Sequence, residues 1–131
     1  MDYSIGSFSK ITGLSIDTLR YYEKERLIQV SRDVSGRRKY TDTDTRWIAF
    51  IKRLKETGMP IREIRKYADL RYQGDATMQE RLQMLQAHRA YILSEKEKWD
   101  ANLAHLDAKI QTYQEQIAQL YPPATDNTEK K

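Results

Sequence analysis

The sequence predicts a mainly α-helical fold: two short helices around a turn, a small basic hairpin, and then one long helix built to pair. Three observations predict it. Leu14-Ser-Ile-Asp-Thr-Leu-Arg-Tyr-Tyr-Glu23 reads as a short capped helix, joined through a turn containing Gly13 to an earlier helical stretch, Ser4 to Thr12. Two such helices around a glycine-containing turn are the pattern of a helix-turn-helix DNA reader. A cluster of cations, Arg32, Arg37, Arg38 and Lys39, flanks a turn signal. Finally, no Gly or Pro interrupts Met78 to Leu120.

Taken in order, Ser4 is placed to cap the first helix, with Ile5, Phe8 and Ile11 facing a core. Ser15 is placed to cap the second, with Ile16, Leu19 and Leu27 toward one side. Ile28 to Arg32 has strand character, Asp33-Val-Ser-Gly36 is a turn, and Arg37 to Tyr40 returns as a second strand. Thr41-Asp-Thr-Asp44 starts a third helix carrying Trp47, Ile48, Phe50, Ile51 and Leu54, which ends at Gly58. Pro60 opens a fourth, with Ile61, Ile64, Tyr67, Ala68 and Leu70 apolar, and Gly74 closes it.

Thr77-Met-Gln-Glu80 matches a capping box for the last helix, which at the usual rise per residue extends roughly 65 Å. Its 3-4 spacing runs through Leu82, Leu85, Arg89, Ile92, Lys96, Trp99, Leu103, Leu106, Ile110, Tyr113, Ile117 and Leu120, the pattern of a coiled coil. Arg89 and Lys96 break the seam. Either their stems lie along it and the charges reach water, or the first half packs on the N-terminal domain and only Trp99 to Leu120 pairs. A mixture of the two fits the continuous apolar run from Trp99 onward. The expected division is 1–74, a DNA-binding domain; 75–121, a dimerisation helix; and 122–131, a disordered polar tail.

Composition narrows the function classes. The 131 residues are 39% hydrophobic and 32% charged, which suits one small core with long solvated faces. No stretch has the length and apolarity of a membrane span, and the N-terminus lacks a signal-peptide pattern, so the expected compartment is the cytoplasm. There is no cysteine, and His88 and His105 are the only imidazoles, so neither a disulfide nor a metal site is expected. No cofactor is expected. Residues 1–70 carry 15 basic and 10 acidic side chains, against 8 and 9 in 71–131, so the net positive charge lies in the first part. That is the footprint of a half that meets nucleic acid. No nucleophile–base pair or phosphate loop supports an enzyme.

Thr18-Leu-Arg-Tyr-Tyr-Glu23, then Gly36-Arg-Arg-Lys-Tyr40, then a helix pair hinged at Thr57-Gly-Met-Pro60, then a long helix, form a recognisable series. The chain resembles the MerR family of bacterial transcription regulators over residues 1 to about 120. Its short form and the Trp47-Ile-Ala-Phe-Ile-Lys52 run are most similar to the aldehyde- and thiol-stress branch (AdhR/NmlR-like). The resemblance implies a winged helix-turn-helix domain and a homodimer joined by an antiparallel coiled coil of the long helices. It implies a pseudo-palindromic promoter site between the −35 and −10 hexamers. It also implies activation by bending and untwisting an over-long spacer so that RNA polymerase engages both hexamers.

Arg20 matches the family's recognition-helix arginine and suits a guanine edge; the bland alternative is a salt bridge to Asp17 or Glu23. Tyr21 and Tyr22 are read as a divided pair, one hydroxyl on phosphate and one ring beneath the wing. Ser15 and Thr18 serve as caps, phosphate donors or both. Arg38 and Tyr40 match the family's wing arginine and tyrosine, with Arg37 and Lys39 beside them, and Arg62 in the first turn of the Pro60 helix adds a phosphate contact. Trp99, Leu103, Leu106, Ile110, Tyr113, Ile117 and Leu120 are the expected dimerisation residues. Tyr67 and Tyr72 are assigned to packing in preference to a ligand cavity.

The chain departs from the family's sensing members. Metal sensors of the family use cysteines that are absent here, and Tyr121 to Lys131 are too few to fold a ligand domain. In the aldehyde-stress branch a cysteine follows the Ile-Lys pair, where this chain has Arg53. The regulator is then constitutive, or senses through a non-thiol pocket in which Arg53 is the candidate effector position, or acts with a partner protein. Two rival classes remain. One is a coiled-coil adaptor, which leaves Arg20 and the wing unexplained. The other is an architectural DNA-binding protein without effector response.

Overall fold

The computed structural model describes residues 1–124. Its elements are β1 (Asp2–Tyr3), α1 (Ile5–Thr12), α2 (Ile16–Lys24), β2 (Ser31–Arg32), β3 (Arg38–Thr41), α3 (Asp42–Glu56), α4 (Ile61–Gln73), a 3-10 turn (Asp75–Thr77) and α5 (Met78–Leu120). The fold is mainly helical with a small sheet, as expected. Two compact units divide it, Met1–Arg89 and from Ala90 onward. The tail expected over 122–131 lies mostly outside the described residues. Among the described residues no helix is long and apolar enough to cross a membrane.

Local chemistry sets the helix boundaries. Ser4, Ser15 and Thr41 cap α1, α2 and α3 by accepting the backbone N–H of Ser7, Thr18 and Asp44. Thr41 and Asp44 form a reciprocal capping box, which satisfies two otherwise orphaned donors. Gly13 ends α1 in the left-handed region (φ 75°), so its N–H bonds Ser9 and the chain turns into α2. The Lys52 ammonium from α3 donates to the Thr12 carbonyl at 2.9 Å and ties that turn to the core.

The core of the first unit gathers Phe8, Leu19, Tyr22, Leu27, Ile28, Tyr40, Trp47, Ile48, Ile51, Leu54, Ile64, Tyr67 and Ala68. The Trp47 indole N–H donates to the Leu27 carbonyl at 2.7 Å, so the largest core side chain is fully bonded. Met84 and Leu85 pack against this core, so the first turns of α5 belong to the first unit. The seam residues from Trp99 onward are exposed in the single chain.

Several expectations need correction. The hairpin is part of a three-stranded antiparallel sheet in the order β1-β3-β2, with Tyr3 opposite Tyr40 and Arg32 opposite Arg38. Strand β1 is too short to show any alternation in sequence. Of the stretch expected as a strand from Ile28 to Arg32, only Ser31 and Arg32 pair, because Ile28 turns into the core. Ile11 is 47% exposed: the buried stripe of α1 runs through Phe8 and Thr12, which leaves Ile11 at the edge of a groove against α3. The Thr77 hydroxyl does not cap α5. It donates back to the carbonyls of Leu70 (2.5 Å) and Gly74 (2.9 Å), closing the corner after α4.

Candidate nucleic-acid interface

Helix α2 divides its polar and apolar side chains by the 3.6-residue period. Leu19 and Tyr22 turn inward; Arg20 and Tyr21 turn outward. The Tyr21 and Tyr22 rings are 6.3 Å apart with planes tilted by 53°. At the start of the helix the Ser15 hydroxyl accepts the Thr18 N–H (3.0 Å) and donates to Thr18 Oγ1 (2.9 Å). Both hydroxyls therefore lie where the helix dipole favours an anion. Arg20 has only a loose contact to Asp17, 3.8 Å between exposed side chains, which holds it weakly.

The hairpin tip is shaped by one carboxylate. Asp33 Oδ1 accepts the N–H groups of Ser35 (2.9 Å) and Arg37 (3.0 Å), and Gly36 takes φ 81° to close the turn. A second carboxylate positions the whole hairpin. Glu23, on α2, accepts from Arg38 Nε at 2.6 Å and from Arg32 at 3.3 Å. This hydrogen bond raises the Arg38 pKa above its ordinary value. Lys39 pairs with Asp2 at 3.9 Å. Of the four hairpin cations, Arg37 is the one without an ion pair among the described residues, and it is exposed. Arg62 is exposed in the first turn of α4, whose N-terminus no side chain caps.

The structure thus brings Ser15, Thr18, Arg20, Tyr21, Arg37 and Arg38 to α2 and the hairpin that Glu23 ties to it. It corrects two expected contact residues. Tyr22 is buried, with its hydroxyl near the Lys55 ammonium (3.4 Å). Tyr40 is fully buried and stacked on Phe8, ring centres 4.2 Å apart. Both are packing residues, because the alternation of β3 and the period of α2 point them into the core. Burial first, then the Glu23 charge, raises the Tyr40 pKa. Its hydroxyl has no hydrogen-bond partner. Tyr40→Phe should therefore leave unfolding free energy unchanged or raise it by about 1 kcal/mol. Urea denaturation measures this; a loss of comparable size would show the hydroxyl to be engaged.

Arg53 is exposed on a groove of about 330 Å³ between α1 and α3, which Ile11, Lys52 and Glu56 also line. The part played by Glu23 was missed at the level of sequence, because its partners are 9 and 15 residues away. Among the described residues no group of side chains is arranged to hold a metal ion.

The profile described as "MerR HTH family regulatory protein" matches residues 3–70. An uncharacterized HTH-type transcriptional regulator of Haemophilus influenzae is 33% identical over 115 residues, covering 87% of this chain and 85% of that protein. The HTH-type transcriptional regulator AdhR of Bacillus subtilis is 37% identical over 91 residues, 69% of this chain and 65% of that one. Among solved structures, HiNmlR, a MerR family regulator lacking the sensor domain and bound to promoter DNA, is similar with a TM-score of 0.78. Its identity is 32%, with 92% of this chain and 95% of that chain covered. A putative MerR family transcriptional regulator from Listeria monocytogenes has a TM-score of 0.80 at 30% identity, covering 98% and 99%. The helix-turn-helix, the basic hairpin, the long helix and these relatives lead to one conclusion: the chain belongs to the MerR family of helix-turn-helix regulatory proteins.

Proposed function

We propose that this chain is a transcriptional regulator that binds a pseudo-palindromic promoter site as a homodimer. It controls transcription by bending and untwisting the spacer between the −35 and −10 hexamers, so that RNA polymerase can engage both. The observation that carries the reading is the Glu23 clamp. It locks the hairpin to α2 while Arg20, Tyr21 and Arg37 stay exposed. Arg20 then reads a base edge, and Ser15, Thr18, Tyr21, Arg37, Arg38 and Arg62 hold phosphates. The HiNmlR complex with promoter DNA supports it by similarity. Dimerisation is supported by the exposed apolar seam from Trp99 to Leu120, which needs a covering partner. Holding DNA in a deformed shape costs a few kcal/mol, offset by phosphate contacts.

Two substitutions separate the roles. Arg20→Ala should lower affinity for the specific site by about 1–3 kcal/mol and relax its sequence preference; Arg37→Ala should weaken all DNA alike and flatten the salt dependence by about one unit of slope. Fluorescence anisotropy on specific and random duplexes over a salt series reads both. Salt-independent, negligible binding would favour a coiled-coil adaptor instead. Mapping the bound promoters tests the spacer mechanism: over-long spacers support distortion, and ordinary spacing would point to simple repression.

A further inference from the structure

Three arginines from three helices of the first unit meet over one aromatic surface. Arg46 comes from α3, Arg71 from the last turn of α4 and Arg81 from the first turn of α5. With Trp47, Phe50 and Tyr67 they line a shallow, solvent-open groove of about 330 Å³. That volume is at the small end of ligand pockets and admits a single-ring molecule. The aromatic floor is tightly coupled: Trp47 lies 5.8 Å from Tyr67 at an interplanar angle of 19°, and Phe50 lies 5.8 Å from Tyr67. The Arg71 guanidinium carbon is 4.4 Å from the Trp47 ring centre, a cation–π contact that holds its plane in place.

The charges are not balanced where they meet. The lining contains no Asp or Glu. Among the described residues none of the three arginines has a carboxylate within ion-pair distance. Arg81 donates to Thr77 Oγ1 and to the Gly74 carbonyl, each at 3.1 Å, and Arg46 donates to Thr43 Oγ1 at 3.3 Å. These are neutral acceptors, and each guanidinium has five donors, so several remain for a ligand. Asp42, whose charge Arg46 also feels, is committed to the Tyr3 hydroxyl (2.6 Å) and the N-terminal ammonium (3.4 Å).

We propose that this open groove is a binding site for a small planar aromatic carboxylate. The carboxylate takes paired N–H donors from the arginines, the geometry in which guanidinium is strongest. The ring takes an offset or edge contact with the Phe50–Tyr67 surface. A tetrahedral phosphate would meet the charge and leave the aromatic floor unused. The site does not include Arg62: Arg71 and Arg62 are near opposite ends of α4, ~14 Å apart along its axis at the usual rise. A bound ligand would join α3, α4 and the start of α5 through its two polar oxygens and its ring.

The test is titration of the full chain with sodium benzoate, cyclohexanecarboxylate and inorganic phosphate, following arginine Nε–H and indole N–H resonances by NMR. Benzoate should saturate, move the Trp47 indole and Arg71 signals, and bind more tightly than either comparison anion. Arg46→Gln and Arg71→Gln should each weaken benzoate at least about ten-fold, or about 1.4 kcal/mol. Arg46 is exposed, so its variant remains informative should Arg71→Gln disturb packing. Absence of saturation, equal binding of phosphate, or indifference to both substitutions overturns the proposal. So does a loss on Arg53→Gln alone, which would move the site to the α1–α3 groove. No DNA is present in the titration, so its outcome is independent of the promoter-binding reading.

Discussion

In the proposed homodimer, Leu106→Asp should leave the chain monomeric. Leu106 is 58% exposed in the single chain and lies within the apolar run from Trp99 to Leu120. Truncating a buried leucine costs about 2–5 kcal/mol, and in a two-fold dimer the change is present in both copies. Even an alanine there would cost about 4 kcal/mol or more, roughly a thousand-fold in dimer dissociation constant. An aspartate adds the cost of a charge without a partner in an apolar seam. Sedimentation velocity at micromolar concentration reads the change in mass. Ala108→Asp, on the far face of the same helix, should remain a dimer. If Leu106→Asp sediments like the parent, the pairing surface lies elsewhere. Under the proposed function the monomer should also lose most of its affinity for a two-half-site operator, since each copy would read only one half.

Phe8→Ala should destabilise the first unit by about 3–5 kcal/mol. Domains of this kind have only about 5–15 kcal/mol in total, so the loss is a large fraction of what holds the fold. Phe8 is fully buried and stacks face to face on Tyr40 with an interplanar angle of 8°. Its removal opens a cavity between α1 and β3, the strand that carries Arg38. Ile11→Ala, on the exposed edge of the same helix, should stay within about 0.5 kcal/mol. Thermal and urea unfolding compare the two; equal effects would contradict the inward placement of Phe8.

These two residues also show how much was legible beforehand. Phe8 and Ile11 are three residues apart and both fit the apolar face of α1. Only the position of α3 decided that one is core and the other lines a groove. Likewise Tyr21 and Tyr22 could be divided in advance by helical period, but not assigned. The identity of the buried one depended on which face of α2 meets the core. Tyr40 was expected at the DNA surface because it matches the family's wing tyrosine, yet the pleat of β3 turns it onto Phe8. Thr77 fits a capping box in sequence, yet its hydroxyl reaches back to α4, because the chain reverses there through the 3-10 turn.

The amino-acid sequence by itself determined the helices, the caps of α1, α2 and α3, the turn at Gly13 and the length of α5. All of these depend on interactions within a few residues: hydroxyls on nearby N–H groups, a left-handed glycine, an uninterrupted 3-4 repeat. It determined the family as well, since the Leu14–Glu23 run, the basic hairpin and the long helix occur in a fixed order. Tertiary structure alone decided which charges work together. Glu23 finds Arg32 and Arg38 across a turn, and Arg46, Arg71 and Arg81 converge from three helices on one aromatic floor. Long side chains from elements distant in sequence meet only once the core between them is packed, and no local pattern records which of them will.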